Sequence, residues 1–223
     1  IVSLPKANNF WLEEDQSRDE IKQYNKTING HRYLVAELKE VVVFPTESGK
    51  LEITPLVITC QVRSRGRDPF DDFFSSSFFA RTEKRDLSSS SVFLNVQPLP
   101  EEGKPEGFNE GNVGIYSIEG EVNQTEVEAN QGITYRLKIS GQGNIKLLSE
   151  PEIDFPKNMT VYLSNTNDKM SVRNGKVYGE KVIEYALIPT LKGEYIIPEV
   201  TLPYYNHINR NYEIARSTPI KIT

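Results

Sequence analysis

Cysteine, tryptophan, histidine and methionine are all scarce in this 223-residue chain, which holds one Cys, one Trp, two His and two Met. With a single thiol, Cys60, there is no intramolecular disulfide and no cysteine-based metal site. Cys60 lies in the alternating run Leu56-Val57-Ile58-Thr59-Cys60-Gln61-Val62, where it reads as a small buried apolar side chain rather than a reactive thiol. His31 sits beside the Asn29-Gly30 turn, and His207 lies in Tyr205-Asn206-His207-Ile208-Asn209. Both read as solvated turn residues rather than ligands or bases. Nucleophile elbows, His-Glu-x-x-His helices, phosphate loops and dinucleotide-binding glycine turns are absent. The acid pairs Glu13-Glu14 and Asp71-Asp72 are sequence neighbours, which a strand sends to opposite faces, so they read as solvating charges rather than a glycosidase pair. The expectation is a non-enzymatic protein without metal or cofactor.

Charge and hydropathy narrow the class further. The net charge is −5, with 26 basic residues against 31 acidic ones. The basic residues are scattered, which argues against a nucleic-acid footprint. No run approaches the ~18 apolar residues that cross a bilayer, and no charged-then-apolar leader opens the chain.

What the chain does contain is an internal echo. Leu4-Pro5-Lys6 followed by Phe10-Trp11 returns as Phe155-Pro156-Lys157 followed by Val161-Tyr162. Phe44-Pro45-Thr46 with Gly49, Ile53 and Pro55 returns as Ile188-Pro189-Thr190 with Gly193, Ile197 and Pro198. Landmarks repeated in one order predict two related domains in tandem. Some 40 residues of strand-like sequence (113–154) precede the first landmark of the second copy, and only four precede that of the first. The first copy is therefore expected to be present mainly as its C-terminal half, within a longer protein.

Short β-branched and alternating runs predict strands at Arg32 to Phe44, Leu51 to Val62 and Ser91 to Val96. In the second copy they recur at Val113 to Val122, Ile133 to Ser140, Lys181 to Ile188, Tyr195 to Tyr205 and Pro219 to Thr223. Asn29-Gly30, Ser48-Gly49, Gly141-Gln142-Gly143-Asn144, Asn174-Gly175 and Lys192-Gly193 punctuate them as turns. The predicted fold is all-β, with tandem immunoglobulin-like antiparallel β-sandwiches. Leu12 to Lys26 reads as a short surface helix or an open loop. The domains are expected at 1–96 and 113–223, joined by a Pro/Gly linker at 97–112 that its prolines stiffen. Phe108 in that linker reads as an anchor that docks it on a neighbouring domain.

Residues 63–91 form a long connection inside the first domain. Asp68-Pro69 is an N-cap and first-turn pattern, with Asp71 and Asp72 placed to complement a helix dipole. A helix starting there sets Phe70, Phe73, Phe74 and Phe78 on one face. Half of the ten phenylalanines fall within residues 70–79. Three readings stay open: a lid folded over its own sandwich, a protein-partner contact, and a membrane-surface contact helped by Arg63, Arg65 and Arg67. As calcium ligands, Asp68, Asp71 and Asp72 lack the alternating oxygens and closing Glu of a binding loop.

The order of several motifs resembles the BatD family of Bacteroides aerotolerance proteins. They are Gln97-Pro98-Leu99-Pro100 through Gly103-Lys104-Pro105, Phe108 and Val113-Gly114; Ile139-Ser140-Gly141-x-Gly143-Asn144; and Pro151-x-Ile153-x-Phe155-Pro156. Glu184-Tyr185-x-Leu187-Ile188-Pro189, Ser217-x-Pro219-Ile220, and Arg67-Asp68-Pro69-Phe70-Asp71-Asp72-Phe73-Phe74 complete the set. The resemblance implies the periplasmic, extracytoplasmic part of a membrane-anchored envelope protein built of β-sandwiches and linked to oxygen or stress tolerance. It also implies von Willebrand A-type partners and an associated MoxR-type ATPase. A scaffold of this kind is expected to bind partners through Phe70, Phe73, Phe74 and Phe78 with Asp68, Asp71 and Asp72, and to self-associate through its partial first domain. The alternative is a carbohydrate-binding or adhesin-type module using Tyr204, Tyr205 and Tyr212. In that stretch adjacent Tyr204 and Tyr205 point to opposite faces of a strand, one inward and one capping the edge.

Overall fold

The computed structural model describes residues 3–14, 21–38, 40–64 and 81–223. Regular structure among them is all extended apart from one 3-10 turn at Ile145–Leu147. The ladders are antiparallel. The fold is all-β and consists of tandem immunoglobulin-like sandwiches, as the turn-punctuated runs predict. Two compact units are distinguished: Ile1–Leu12 with Val43–Pro98, and Glu13–Val42 with Leu99–Thr223.

The second sandwich is built on one four-stranded sheet. Strands β9 (Gly114–Val122), β10 (Ile133–Gly143), β11 (Met159–Arg173) and β12 (Lys176–Pro189) lie in the order β11-β12-β10-β9. Two further ladders complete it, β13 (Tyr195–Ile197) with β16 (Ile220–Ile222) and β14 (Thr201–Asn206) with β15 (Asn211–Arg216). Alternation along β10 decides the faces. Ile133, Tyr135, Leu137 and Ile139 point inward and are at most 2% exposed, each burial contributing roughly 1.5–3 kcal/mol for an aliphatic side chain. Arg136 and Lys138 point outward, Arg136 bridging Glu121 and Glu184 at 2.8 Å each and Lys138 reaching Glu180 at 2.9 Å.

The outer edge of this sheet carries features that oppose further pairing. β11 shifts register between Leu163 and Asn165 and presents Asn165, Asn167, Asp168 and Lys169. Asp168 also pairs in register with Lys181 of β12. Lys181 is buried, donates to the Leu148 carbonyl at 3.4 Å and lies 3.9 Å from the Asp168 carboxylate.

The first repeat carries the same ladders. β1 (Phe10–Glu14) pairs with β4 (Val41–Pro45), and β2 (Lys22–Ile28) pairs with β3 (His31–Glu37) around Asn29-Gly30. That turn matches Asn174-Gly175 between β11 and β12, with φ of 49° and 79° against 52° and 71°. Both are left-handed at two successive residues, the requirement of a tight hairpin turn that Asn-Gly meets. β5 (Gly49–Ile53) with β8 (Val92–Val96) corresponds to β13 with β16, and β6 (Val57–Ser64) with β7 (Arg81–Ser88) to β14 with β15. Among the described residues the first repeat has no counterpart of β9 or β10.

Individual bonds align the two copies. Thr46 N–H donates to the Asn9 carbonyl and Thr190 N–H to that of Asn158, both at 3.0 Å. Phe10 N–H donates to the Ala7 carbonyl and Met159 N–H to that of Pro156, both at 3.1 Å. Phe10 therefore stands where Met159 stands, and both are buried. The sequence echo, which equates Trp11 with Tyr162, is displaced by two residues. A two-residue slip leaves every side chain on its own face, so the echo keeps the faces while missing the register.

Several expectations change. Leu12 to Lys26 is neither helix nor open loop among its described residues: Leu12 to Glu14 ends β1, and Lys22 to Lys26 belongs to β2. Arg32 to Phe44 divides into β3 and β4, Leu51 to Val62 divides around Thr54-Pro55-Leu56, Tyr195 to Tyr205 divides into β13 and β14, and Gly141 to Gly143 continues β10 in ladder pairing instead of turning. Cys60 is half-buried rather than fully enclosed.

Candidate functional site

The ladder of β6 with β7 matches that of β14 with β15, but the two are joined differently at their tips. In the second, β14 and β15 close over residues 207–210. In the first, β6 and β7 pair as far as Ser64 with Arg81, and residues 65–80 connect them. The residues predicted to bind partners, Phe70, Phe73, Phe74, Phe78, Asp68, Asp71 and Asp72, lie in that connection and outside the described residues, as does the helix predicted to begin at Asp68.

The short tip of the second sandwich is fixed by its own side chains. The Asn206 Oδ1 accepts the N–H groups of Ile208 at 3.0 Å and Asn209 at 3.1 Å, while its amide donates to Glu213 at 3.0 Å. Glu213 also accepts from the Asn209 amide at 3.0 Å and the Tyr204 hydroxyl at 2.7 Å. Donors from Asn209, Tyr204 and Asn206 hold this carboxyl below its usual range because they favour the charged form. Burial, reinforced by the bond to Glu213, pushes the Tyr204 phenol up to about 12, so it stays a neutral donor at physiological pH.

Tyr204 points inward and is 6% exposed, whereas Tyr205 stands on the opposite face, as the adjacency of the two predicts. Tyr205 meets Tyr212 edge-on at 5.1 Å, and Tyr212 meets Phe108 edge-on at 4.9 Å. The Tyr212 hydroxyl donates to the Pro100 carbonyl at 2.6 Å. Phe108 and Pro100 thus seat the linker on β15, and Phe108 is an anchor. Tyr212 is engaged by this linker, and Tyr204 is turned into the core, so the three tyrosines do not form one open platform for a sugar.

A buried asparagine holds the end of the linker. Asn112 is fully enclosed and donates to the Pro203 carbonyl at 2.9 Å and to Ser149 Oγ at 3.2 Å. Its own oxygen accepts the Ser149 N–H at 3.1 Å. Nothing in the linker's composition marks Asn112. The only hint is its place directly before the first strand of the sandwich.

The histidines are exposed, His31 opening β3 and His207 in the short tip, 3.4 Å from the Gln142 amide. Glu13 differs from its expected solvated state, since it is buried and lies 3.0 Å from Lys146 Nζ within the second unit. Among the described residues, no group of three or more His, Cys, Asp or Glu is placed to hold a metal ion, and no helix is long and apolar enough to cross a membrane.

A family model described as the BatD DUF11 like domain matches residues 120–223. No curated protein and no solved structure matches the chain. The matched span covers almost all of the second sandwich, from the end of β9 through β16, including the tip held by Glu213. Residues 120–223 are thus similar to the BatD DUF11 like domain, from the family that the chain's motifs resemble.

Proposed function

We propose that this chain is part of a non-enzymatic envelope scaffold linked to oxygen or stress tolerance, membrane-anchored and extracytoplasmic. Its docking element is the tip of the β6–β7 hairpin, and its partners are von Willebrand A-type envelope proteins associated with a MoxR-type ATPase. One observation carries this reading: two copies of one sandwich keep the same ladder bonds but join equivalent strands through residues 65–80 in one and 207–210 in the other. The ladder is the part that folds, and the second copy folds it with the short connection. The longer connection, in which three acids and four phenylalanines alternate from Asp68 to Phe78, is available for recognition, as loops on rigid sandwiches commonly are.

The test is capture from envelope extract by the extracytoplasmic region, wild type beside a variant with Phe70, Phe73, Phe74 and Phe78 changed to Ser. Circular dichroism checks the fold of each. Loss of von Willebrand A-type partners from a folded variant supports the tip as docking element. Equal capture removes that role from the tip and moves the search to the second sandwich.

A further inference from the structure

The stretch that leads into the second sandwich is itself periodic. Glu101-Glu102-Gly103-Lys104, Pro105-Glu106-Gly107-Phe108 and Asn109-Glu110-Gly111-Asn112 are successive tetrads with glutamate second and glycine third. Each closes on itself, the N–H of the fourth residue donating to the carbonyl of the first, at 3.4 Å for Lys104, 3.3 Å for Phe108 and 2.8 Å for Asn112. Gly103 and Gly107 share a φ of 75°, the left-handed third position of a type II turn that glycine supplies without strain. The stretch is thus a series of turns, and it lies in one compact unit with the second sandwich.

Its two ends are held unequally. At the root, Asn112 is enclosed and bonded to Pro203 and Ser149, and its carbonyl accepts the Tyr205 N–H at 2.8 Å. A Cβ on Gly111 would stand 2.3 Å from the Leu147 carbonyl, so the last turn is pressed against the sandwich. At the far end one side chain does the holding. Tyr212 donates its hydroxyl to the Pro100 carbonyl and sets its ring against Phe108. Lys104 lies 3.7 Å from Glu101 and 3.9 Å from Glu110, but those carboxylates are 87% and 83% exposed, and such pairs add little. Residues 99–112 belong to no strand.

We infer that residues 99–112 are a strap of the second sandwich, rooted at Asn112 and latched at Tyr212, which opens as a unit while the sandwich beneath it stays folded. Opening breaks the Tyr212 contacts and leaves the buried root intact, which is why it precedes unfolding of the sandwich. Closed, the chain reaches the sandwich at Pro100, against β15. Open, it reaches the sandwich at Asn112, and residues 99–111 become a tether that extends to roughly 40 Å. The strap is a length switch in the stretch that leads into this domain, with Tyr212 as its catch.

Native-state amide exchange in low urea tests this on the intact chain and needs no variant to fold. The Lys104 and Phe108 amides are expected to share one opening constant, protected relative to free peptide yet exchanging faster and with less urea dependence than amides of the β14–β15 ladder. Tyr212→Phe removes only the hydroxyl and, with a native circular dichroism spectrum, is expected to speed both strap amides by one factor of about five, the equivalent of a single hydrogen bond. Cleavage after Glu102 and Glu106 by a glutamate-specific protease is expected to rise by the same factor. Strap amides exchanging at the free-peptide rate would make the stretch an open linker, and exchange matching the ladder in rate and urea dependence would make it inseparable from the sandwich. Either result, unequal opening constants at Lys104 and Phe108, or no response to Tyr212→Phe would overturn the inference.

Discussion

Ser217 and Val200 hold each other twice: the Ser217 N–H donates to the Val200 carbonyl at 3.0 Å, and the Val200 N–H donates to Ser217 Oγ at 2.9 Å. Ser89 and Leu56 make the same two bonds in the first repeat, at 2.9 Å and 3.0 Å. The pairs bridge the ends of β14–β15 and β6–β7. Val200 is 1% exposed, so Ser217→Ala leaves a buried donor without its acceptor, at a cost of about 1–3 kcal/mol. The Leu56–Ser89 bond is exposed, water can replace the hydroxyl, and Ser89→Ala is expected to cost under about 1 kcal/mol. Urea midpoints at constant slope measure both. Equal losses would contradict the assignment.

Asn112→Ala strips partners from the Pro203 carbonyl and the Ser149 N–H together. The expected loss is roughly 2–4 kcal/mol, below the full cost of two enclosed groups because both bonds are part-buried. Asn112→Asp keeps the acceptor but loses the donor and sets an enclosed carboxylate against the Pro203 carbonyl, so at neutral pH it is expected to lose at least as much as Ala. Thermal unfolding of the three proteins gives the order.

Lys181 is buried while its partner Asp168 keeps about a quarter of its side chain exposed. Asp168→Asn leaves the ammonium with the Leu148 carbonyl and little else, a loss expected near 1 kcal/mol after allowance for solvent screening. Lys181→Met replaces the buried charge with an apolar chain of similar length and is expected to be neutral or stabilising. A large loss on Lys181→Met in urea unfolding would show that the ammonium has a structural role beyond that pair.

Glu213 sets a pH dependence whose sign follows from its depressed pKa. At intermediate acidity the unfolded chain binds a proton there that the folded chain does not, so this group stabilises the fold above the usual carboxylate range. The contribution is lost as pH falls from about 4.5, the ordinary value, through the lower folded value. Glu213→Gln cannot titrate, and its stability is expected to fall less steeply on acidification than that of wild type. Parallel slopes across that window would exclude Glu213 as a source of acid sensitivity.

Much of the fold was legible because alternation reports burial directly. Ile133 to Ser140 and Val113 to Val122 stand as strands nearly where their apolar residues placed them. β11 was missed because an edge strand has one bonded neighbour and presents Asn165, Asn167, Asp168 and Lys169, which carry no apolar period. β7 was missed for a related reason, since Arg81 to Ser88 is almost wholly polar. The repeat was legible because turns and prolines mark ends that the backbone requires, and its two-residue displacement at Trp11 arose because a two-residue slip preserves the hydrophobic pattern. Phe108 could be picked out as the one aromatic residue in the 97–112 linker. Asn112 could not, because a buried amide held by hydrogen bonds has the same letter as an exposed one. The tip residues predicted to bind partners lie outside the described residues.

Because β6 and β7 stay paired to Ser64 and Arg81, the connection between them begins and ends one strand spacing apart. Its length then enters the folding equilibrium only as a logarithm. Going from a connection like residues 207–210 to one like residues 65–80 is about two doublings, or roughly 1.2 kcal/mol of closure entropy. What separates the two copies at this end is therefore carried beyond the last ladder pair and not within the ladder, so one strand pair serves as a common socket for connections of different length.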